Sequence, residues 1–107
     1  LGDVYKRQVP FMMQVFEIKE DKRKAIPAVT HADGTGRLQT VDKSSNAIYY
    51  KLISEFGKIT GVPIILNTSF NENEPVVCTP EEALDTFLRT NMDLLVLGNW
   101  TISRQKN

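Results

Sequence analysis

The chain is expected to fold as one α/β domain built around a mixed, twisted sheet, and three patterns predict it. Two segments carry apolar residues at helical spacing, two short runs are apolar throughout, and the stretch that precedes them alternates as strands do. Phe11 to Lys19 sets Met13, Val15 and Phe16 among Gln14, Glu17 and Lys19, which predicts a first strand. Glu20 to Lys24 is a charged turn. A second extended piece is expected over Ile26-Pro27-Ala28-Val29-Thr30, followed by a turn at Asp33-Gly34-Thr35-Gly36 and a third strand over Arg37 to Val41. These pieces together predict a β-hairpin or a bulged strand pair.

From about Ser45 the period changes. Tyr49, Leu52, Ile53, Phe56 and Ile59 fall on one helical face, and Gly61 supplies a stop. Val62-Pro63-Ile64-Ile65-Leu66 then has the composition of a strand buried on both faces. Thr79-Pro80-Glu81-Glu82 is a helix start, with a capping Thr, Pro at the first helical position and Glu three residues after the cap. Ala83, Leu84, Phe87 and Leu88 form that helix's apolar stripe. Leu94 to Leu97 is a second buried-strand candidate, and Gly98-Asn99 leads into a short strand at Trp100 to Ile102. The predicted order is β-β-β-α-β-α-β(-β), and no repeat or linker divides it.

Composition narrows the function classes. At 107 residues and 41% hydrophobic the chain suits a single globular domain rather than a disordered segment. Thirteen basic and thirteen acidic side chains cancel, which removes the net attraction that nonspecific nucleic-acid binding uses. No apolar run approaches the roughly 20 residues of a membrane span. A lone cysteine, Cys78, forms no internal disulfide and suits a reducing cytoplasm; with a single histidine it cannot make a structural zinc site, so no metal ligands are assigned. Beside the valines and a helix cap, Cys78 is expected to be a buried structural thiol.

Two polar clusters could carry chemistry. The first is the ten residues Leu66 to Pro75, of which Asn67, Thr68, Ser69 and Asn71 are the candidate contacts, at the carboxyl end of the expected buried strand, where open α/β sheets bind ligands. A solvated turn is the plain alternative. The second is His31-Ala32-Asp33-Gly34-Thr35-Gly36-Arg37-Leu38-Gln39-Thr40. Arg37 offers a planar fork of donors suited to phosphate, and the glycines let backbone approach a ligand closely. In a regular strand His31, Arg37 and Gln39 would share a face. Taken alone, the cluster is more simply a tight hairpin whose arginine is a solvated edge charge. Ser69, His31 and Asp33 do not make a hydrolase triad, because no G-x-S-x-G elbow surrounds Ser69. Glu72 and Glu74 are more simply solvated than magnesium ligands, and Trp100 and the Tyr49-Tyr50 pair are packing residues.

Three motifs in order and at fixed spacing, Ile26 to Thr40, Gly61 to Asn71 and Glu74 to Ala83, resemble the carboxyl-terminal domain of the O-carbamoyltransferases of nodulation-factor and antibiotic biosynthesis. The resemblance runs from about Val9 to Trp100. It implies a YrdC-like α/β fold that binds carbamoyl phosphate and ATP with Mg and forms a carbamoyl-adenylate. An amino-terminal transferase domain, related to the universal tRNA threonylcarbamoyl-modification enzyme and carrying the family's metal site, then passes the carbamoyl group to a hydroxyl acceptor. By this resemblance Arg37 and Ser69 are the catalytic residues, contacting phosphate or carbamoyl oxygens. Asn67 and Thr68 shape the same pocket, and His31, Thr35 and Asn71 complete the substrate-binding set. The family's basic stretch has no match before Phe11. Residues 1–8 are therefore expected to be a non-native leader, residues 9–103 a partial domain and residues 104–107 a tail, with the chain inactive alone and apolar surface left uncovered. A ligand-binding or scaffolding module without turnover is the rival reading. RNA binding is weaker, for want of an aromatic-basic stripe.

Overall fold

The structure, a computed structural model, describes residue 11 and residues 14–105. The expected leader at residues 1–8 lies outside them, as do Met12 and Met13 of the first expected strand. Two compact units divide at Leu66 and Asn67. The described secondary structure runs β1 (Val15–Glu17), β2 (Thr35–Arg37), α1 (Ala47–Thr60), α2 (Pro80–Arg89), β3 (Leu94–Leu97) and β4 (Trp100–Ser103). The chain is thus mixed α/β, and among the described residues there are two α-helices and two two-stranded antiparallel sheets rather than one mixed sheet.

In the first unit β1 pairs with β2, with Phe16 opposite Gly36, and the Ile18 amide extends the ladder by donating to the Gly34 carbonyl at 2.9 Å. Gly36 is buried because a Cβ there would stand 2.9 Å from the Val29 carbonyl oxygen and 3.0 Å from Ile18 Cδ1. That close approach starts the strand at Thr35, two residues before the predicted Arg37, and Leu38 to Val41 leave it. The piece expected to be extended at Ile26 to Thr30 is instead a 3-10 turn over Pro27–Val29. Pro27 has no amide proton to give a ladder, and the Thr30 hydroxyl donates back to the Ile26 carbonyl at 2.7 Å, which favours the turn.

Helix α1 starts and stops where its caps require. Asn46 Oδ1 accepts from the Tyr49 amide at 3.1 Å, and Gly61 closes the helix in the left-handed region at φ 79°. Of its predicted apolar stripe Tyr49 and Ile53 are half-buried, while Leu52 and Ile59 are 56% and 84% exposed, and Ile48 outside the stripe is 85% exposed. The buried strand predicted at Val62 to Leu66 is not formed. Pro63 packs against Gly57, where a Cβ would stand 2.7 Å from the proline Cβ, and Ile64 turns back to the Val62 carbonyl. No strand pairs with this segment among the described residues, so its β-branched composition has no ladder to join.

Among the described residues the buried apolar side chains lie in the second unit. Helix α2 begins as predicted: Thr79 Oγ1 accepts from the Glu82 amide at 3.2 Å, Pro80 takes the first position, and Glu82 reaches back to the Cys78 amide at 3.0 Å. Thr79→Ala is expected to lower stability by about 1 kcal/mol, the usual worth of an N-cap, read as a shift of the thermal midpoint. The inward face is rotated relative to the predicted stripe. Ala83, Thr86 and Phe87 are buried, while Leu84 and Leu88 are 38% and 62% exposed. Ala83 and Phe87 pack with Leu95 of β3, and Phe70, Val77, Met92, Leu97 and Ile102 flank them. β3 and β4 form a hairpin through Gly98-Asn99, with Gly98 at φ 58° in the first turn position and Leu95 opposite Ile102. Only Leu95 of the expected buried strand is fully covered. Trp100 is 78% exposed, so it is not core. No helix among the described residues is long and apolar enough to cross a membrane.

Candidate functional site

The polar cluster of the first unit, His31 to Thr40, is organised by one carboxylate. Asp33 Oδ1 accepts from the Thr35 amide at 3.0 Å and from Thr35 Oγ1 at 2.6 Å, an Asx turn that carries the chain into β2. Those bonds, the hydroxyl's first, hold the Asp33 carboxyl below its usual range, so it stays an acceptor. Thr35 gives its only hydroxyl proton to Asp33, and its oxygen therefore accepts from His31 Nδ1, 3.2 Å away. That contact leaves Nε2 as the ring nitrogen without a bond to Thr35. His31 and Thr35 are also joined through backbone, the His31 amide donating to the Thr35 carbonyl at 2.7 Å. Gly34, at φ 83°, completes the turn beneath Arg23, whose Cζ would lie 2.4 Å from an added Cβ. Arg23 itself donates to the Ile18 carbonyl at 3.0 Å.

Arg37 is exposed at the end of β2, opposite Val15, and makes no salt bridge among the described residues. Alternation puts Thr35 and Arg37 on one face of β2 and buried Gly36 on the other. The wider alignment of His31 and Gln39 with Arg37 does not follow, because both lie outside the three-residue strand. The structure does bring His31, Asp33 and Thr35 together through side chains, in a turn that the glycines and Asp33 made legible.

In the second unit Asn67, Thr68 and Ser69 are exposed and Asn71 is half-buried. Asn71 Nδ2 donates to the Glu74 carbonyl at 2.8 Å, so its amide group helps to build the loop. The Val77 amide closes that loop on the Phe70 carbonyl at 2.9 Å. Glu72 and Glu74 are not simply solvated. Arg89 in the last turn of α2 directs Nη2 to Glu74 at 2.9 Å, Nη1 to Glu72 at 3.3 Å and Nε to Asp85 at 2.9 Å. Buried Thr86 adds a hydroxyl bond to Glu74 at 3.3 Å. Only the Asp85–Arg89 contact, at helical i,i+4 spacing, was legible beforehand. Cys78 is exposed rather than buried, its thiol donating to the Val76 carbonyl at 3.2 Å.

The Glu74 carboxylate is held down to about 2 from 4.5, first by its own backbone amide and next by Arg89. A depressed folded-state value means that its contribution is complete above the unfolded value and disappears as pH falls toward the folded one. The gap in thermal midpoint between wild type and Glu74→Gln is therefore expected to be flat above about pH 5 and to close toward about pH 2. A gap that widened on acidification would contradict this.

A sequence-family model described as the carbamoyltransferase C-terminus matches residues 2–104. The chain is 48% identical to nodulation protein NolNO of Sinorhizobium fredii over 101 residues, which is 94% of this chain and 15% of that protein. It is 46% identical to nodulation protein NolO of Bradyrhizobium diazoefficiens, covering 92% of this chain and 18% of that one. An uncharacterised protein of Methanocaldococcus jannaschii is also 46% identical, over 94% of this chain and 20% of its own length. The chain thus spans between 15% and 20% of these curated relatives.

Proposed function

This chain belongs to the carbamoyltransferase C-terminus family, and from that premise we propose that it is the C-terminal part of an O-carbamoyltransferase. The full-length protein binds carbamoyl phosphate and ATP with Mg; water releases inorganic phosphate and leaves carbamate, whose oxygen attacks the α-phosphorus of ATP to give carbamoyl-adenylate and pyrophosphate, and a hydroxyl acceptor then takes the carbamoyl group with AMP as the leaving group. The reading is carried by the family match over nearly the whole chain, joined to the exposure of Arg37, Asn67, Thr68 and Ser69. Each residue type suits a part of this chemistry. Attack on ATP accumulates charge on phosphate oxygens, which the Arg37 fork offsets, and a charge-assisted bond of that kind is worth about 1.5–3 kcal/mol. The Ser69 hydroxyl and the Asn67 amide supply the paired donors and acceptors that a planar, neutral carbamoyl group needs. His31, held by Thr35 through Nδ1, turns Nε2 toward the ligand.

A YrdC-like fold for the complete domain belongs to the same proposal, as does a cytoplasmic location, which a single free thiol suits. So does an amino-terminal transferase domain that covers apolar surface such as Ile48 and Ile59 of α1, both more than 80% exposed. Calorimetry of the full-length protein with carbamoyl phosphate and a non-hydrolysable ATP analogue is expected to show binding of both. Failure to bind either ligand would overturn the reading. Binding without any turnover would favour a sensing or scaffolding module.

A further inference from the structure

We propose that Arg89 is a positioning residue for the polar loop: from the last turn of α2 its guanidinium holds Glu72 and Glu74, and so fixes the backbone from which Ser69 projects. The inference rests on the reading of Ser69 as a substrate contact. It draws on a separate set of observations, all within the second unit.

A planar fork that spends three nitrogens on three carboxylates is fixed in orientation, which a lysine ammonium cannot reproduce. Two of those carboxylates, Glu72 and Glu74, belong to the loop, and the third, Asp85, sits one helical turn before Arg89 and aims the fork. Glu74 is the hub. It takes the Thr86 hydroxyl and the Asn73 amide on its carboxylate, while its carbonyl takes the Asn71 side chain. The Phe70–Val77 backbone bond closes the base of the loop, and both side chains pack on the core of Ala83, Phe87 and Leu95. Ser69 directly precedes Phe70, whose carbonyl closes the loop on the Val77 amide, so a shift of the clamp reaches the backbone beside the hydroxyl. Exposed ion pairs add little stability on their own. A fork joining a helix end to a loop is better suited to holding a shape.

The test is a double-mutant cycle in the full-length protein, reading kcat/KM for carbamoyl phosphate in adenylate formation for wild type, Arg89→Lys, Ser69→Ala and the pair. Arg89→Lys is expected to lower kcat/KM about tenfold, since a misplacement near 1 Å costs up to about 10²-fold, while the thermal midpoint stays nearly unchanged. With Ser69 already alanine, the further loss on Arg89→Lys should fall below about twofold, because groups that act as a unit are not additive. Equal losses in both backgrounds, or no loss from Arg89→Lys, would overturn the positioning role and leave Ser69 as a contact. A Ser69→Ala enzyme as active as wild type would instead remove the substrate-contact reading, and this inference with it. If the lysine variant does not fold, Glu72→Gln, which removes one exposed arm of the clamp, replaces it in the same cycle with the same outcomes.

Discussion

Arg37→Ala in the full-length protein is expected to lower carbamoyl-adenylate formation by about 10²- to 10³-fold, the cost of removing one donor aimed at charge that develops in a transition state. The residue stands on β2, whose other face is locked by buried Gly36 against Val29 and Ile18, so the backbone that carries it is set by contacts the substitution does not touch. Its side chain is exposed and makes no salt bridge among the described residues. The stability change should accordingly stay within about 0.5 kcal/mol, as for other surface substitutions. A large loss of rate with an unchanged melt is the signature of a group that serves the reaction. Arg37→Lys should recover only part of the loss, because a point charge replaces a bidentate fork. Pyrophosphate exchange into ATP in the presence of carbamoyl phosphate gives the rate directly. Activity within a few-fold of wild type for Arg37→Ala would remove Arg37 from the site.

What could be read in the sequence, and what could not, divides by the range of the interactions. Gly61 ends α1, and Thr79 with Pro80 and Glu82 starts α2, through bonds spanning a few residues, and both helix ends lie where those signals put them, while the Asn46 cap that starts α1 is not among those signals. The Asp33 turn is equally local, its partners being two residues away. Strands are different, since an apolar β-branched run becomes a strand only when another segment offers a ladder. Leu94 to Leu97 finds one in Trp100–Ser103 through a two-residue turn, whereas Val62 to Leu66 has none among the described residues. The Arg89 clamp was invisible for the same reason. Glu74 and Arg89 are 15 positions apart, and Glu72 and Arg89 are 17 apart, with nothing in the intervening composition to announce a pairing.

Phe87→Ala is expected to have the largest effect on stability, about 3–5 kcal/mol, the usual cost of deleting a buried aromatic ring. The side chain is 2% exposed, and among the described residues the fully buried apolar core comprises only Phe87, Ala83 and Leu95. Phe70, Val77, Met92, Leu97 and Ile102 flank this core, and how far they collapse into the cavity sets where in that range the loss falls. The ring also supports Arg104, whose guanidinium lies 4.7 Å from its centroid and donates to the carbonyls of Phe87, Thr90 and Met92. Those bonds satisfy carbonyls at the end of α2, where a cation also meets the negative end of the helix dipole. Losing the ring therefore weakens the helix end that carries Arg89, and with it the clamp on Glu72 and Glu74. Since a folded domain is stable by only about 5–15 kcal/mol, the substitution should bring the second unit close to unfolding at ordinary temperature. Leu88→Ala, one position along the same helix and 62% exposed, is the matched control and should change stability little. Urea melts followed by circular dichroism distinguish the two. Equal midpoints for Phe87→Ala and Leu88→Ala would mean that the core does not lie on the Ala83–Phe87 face of α2.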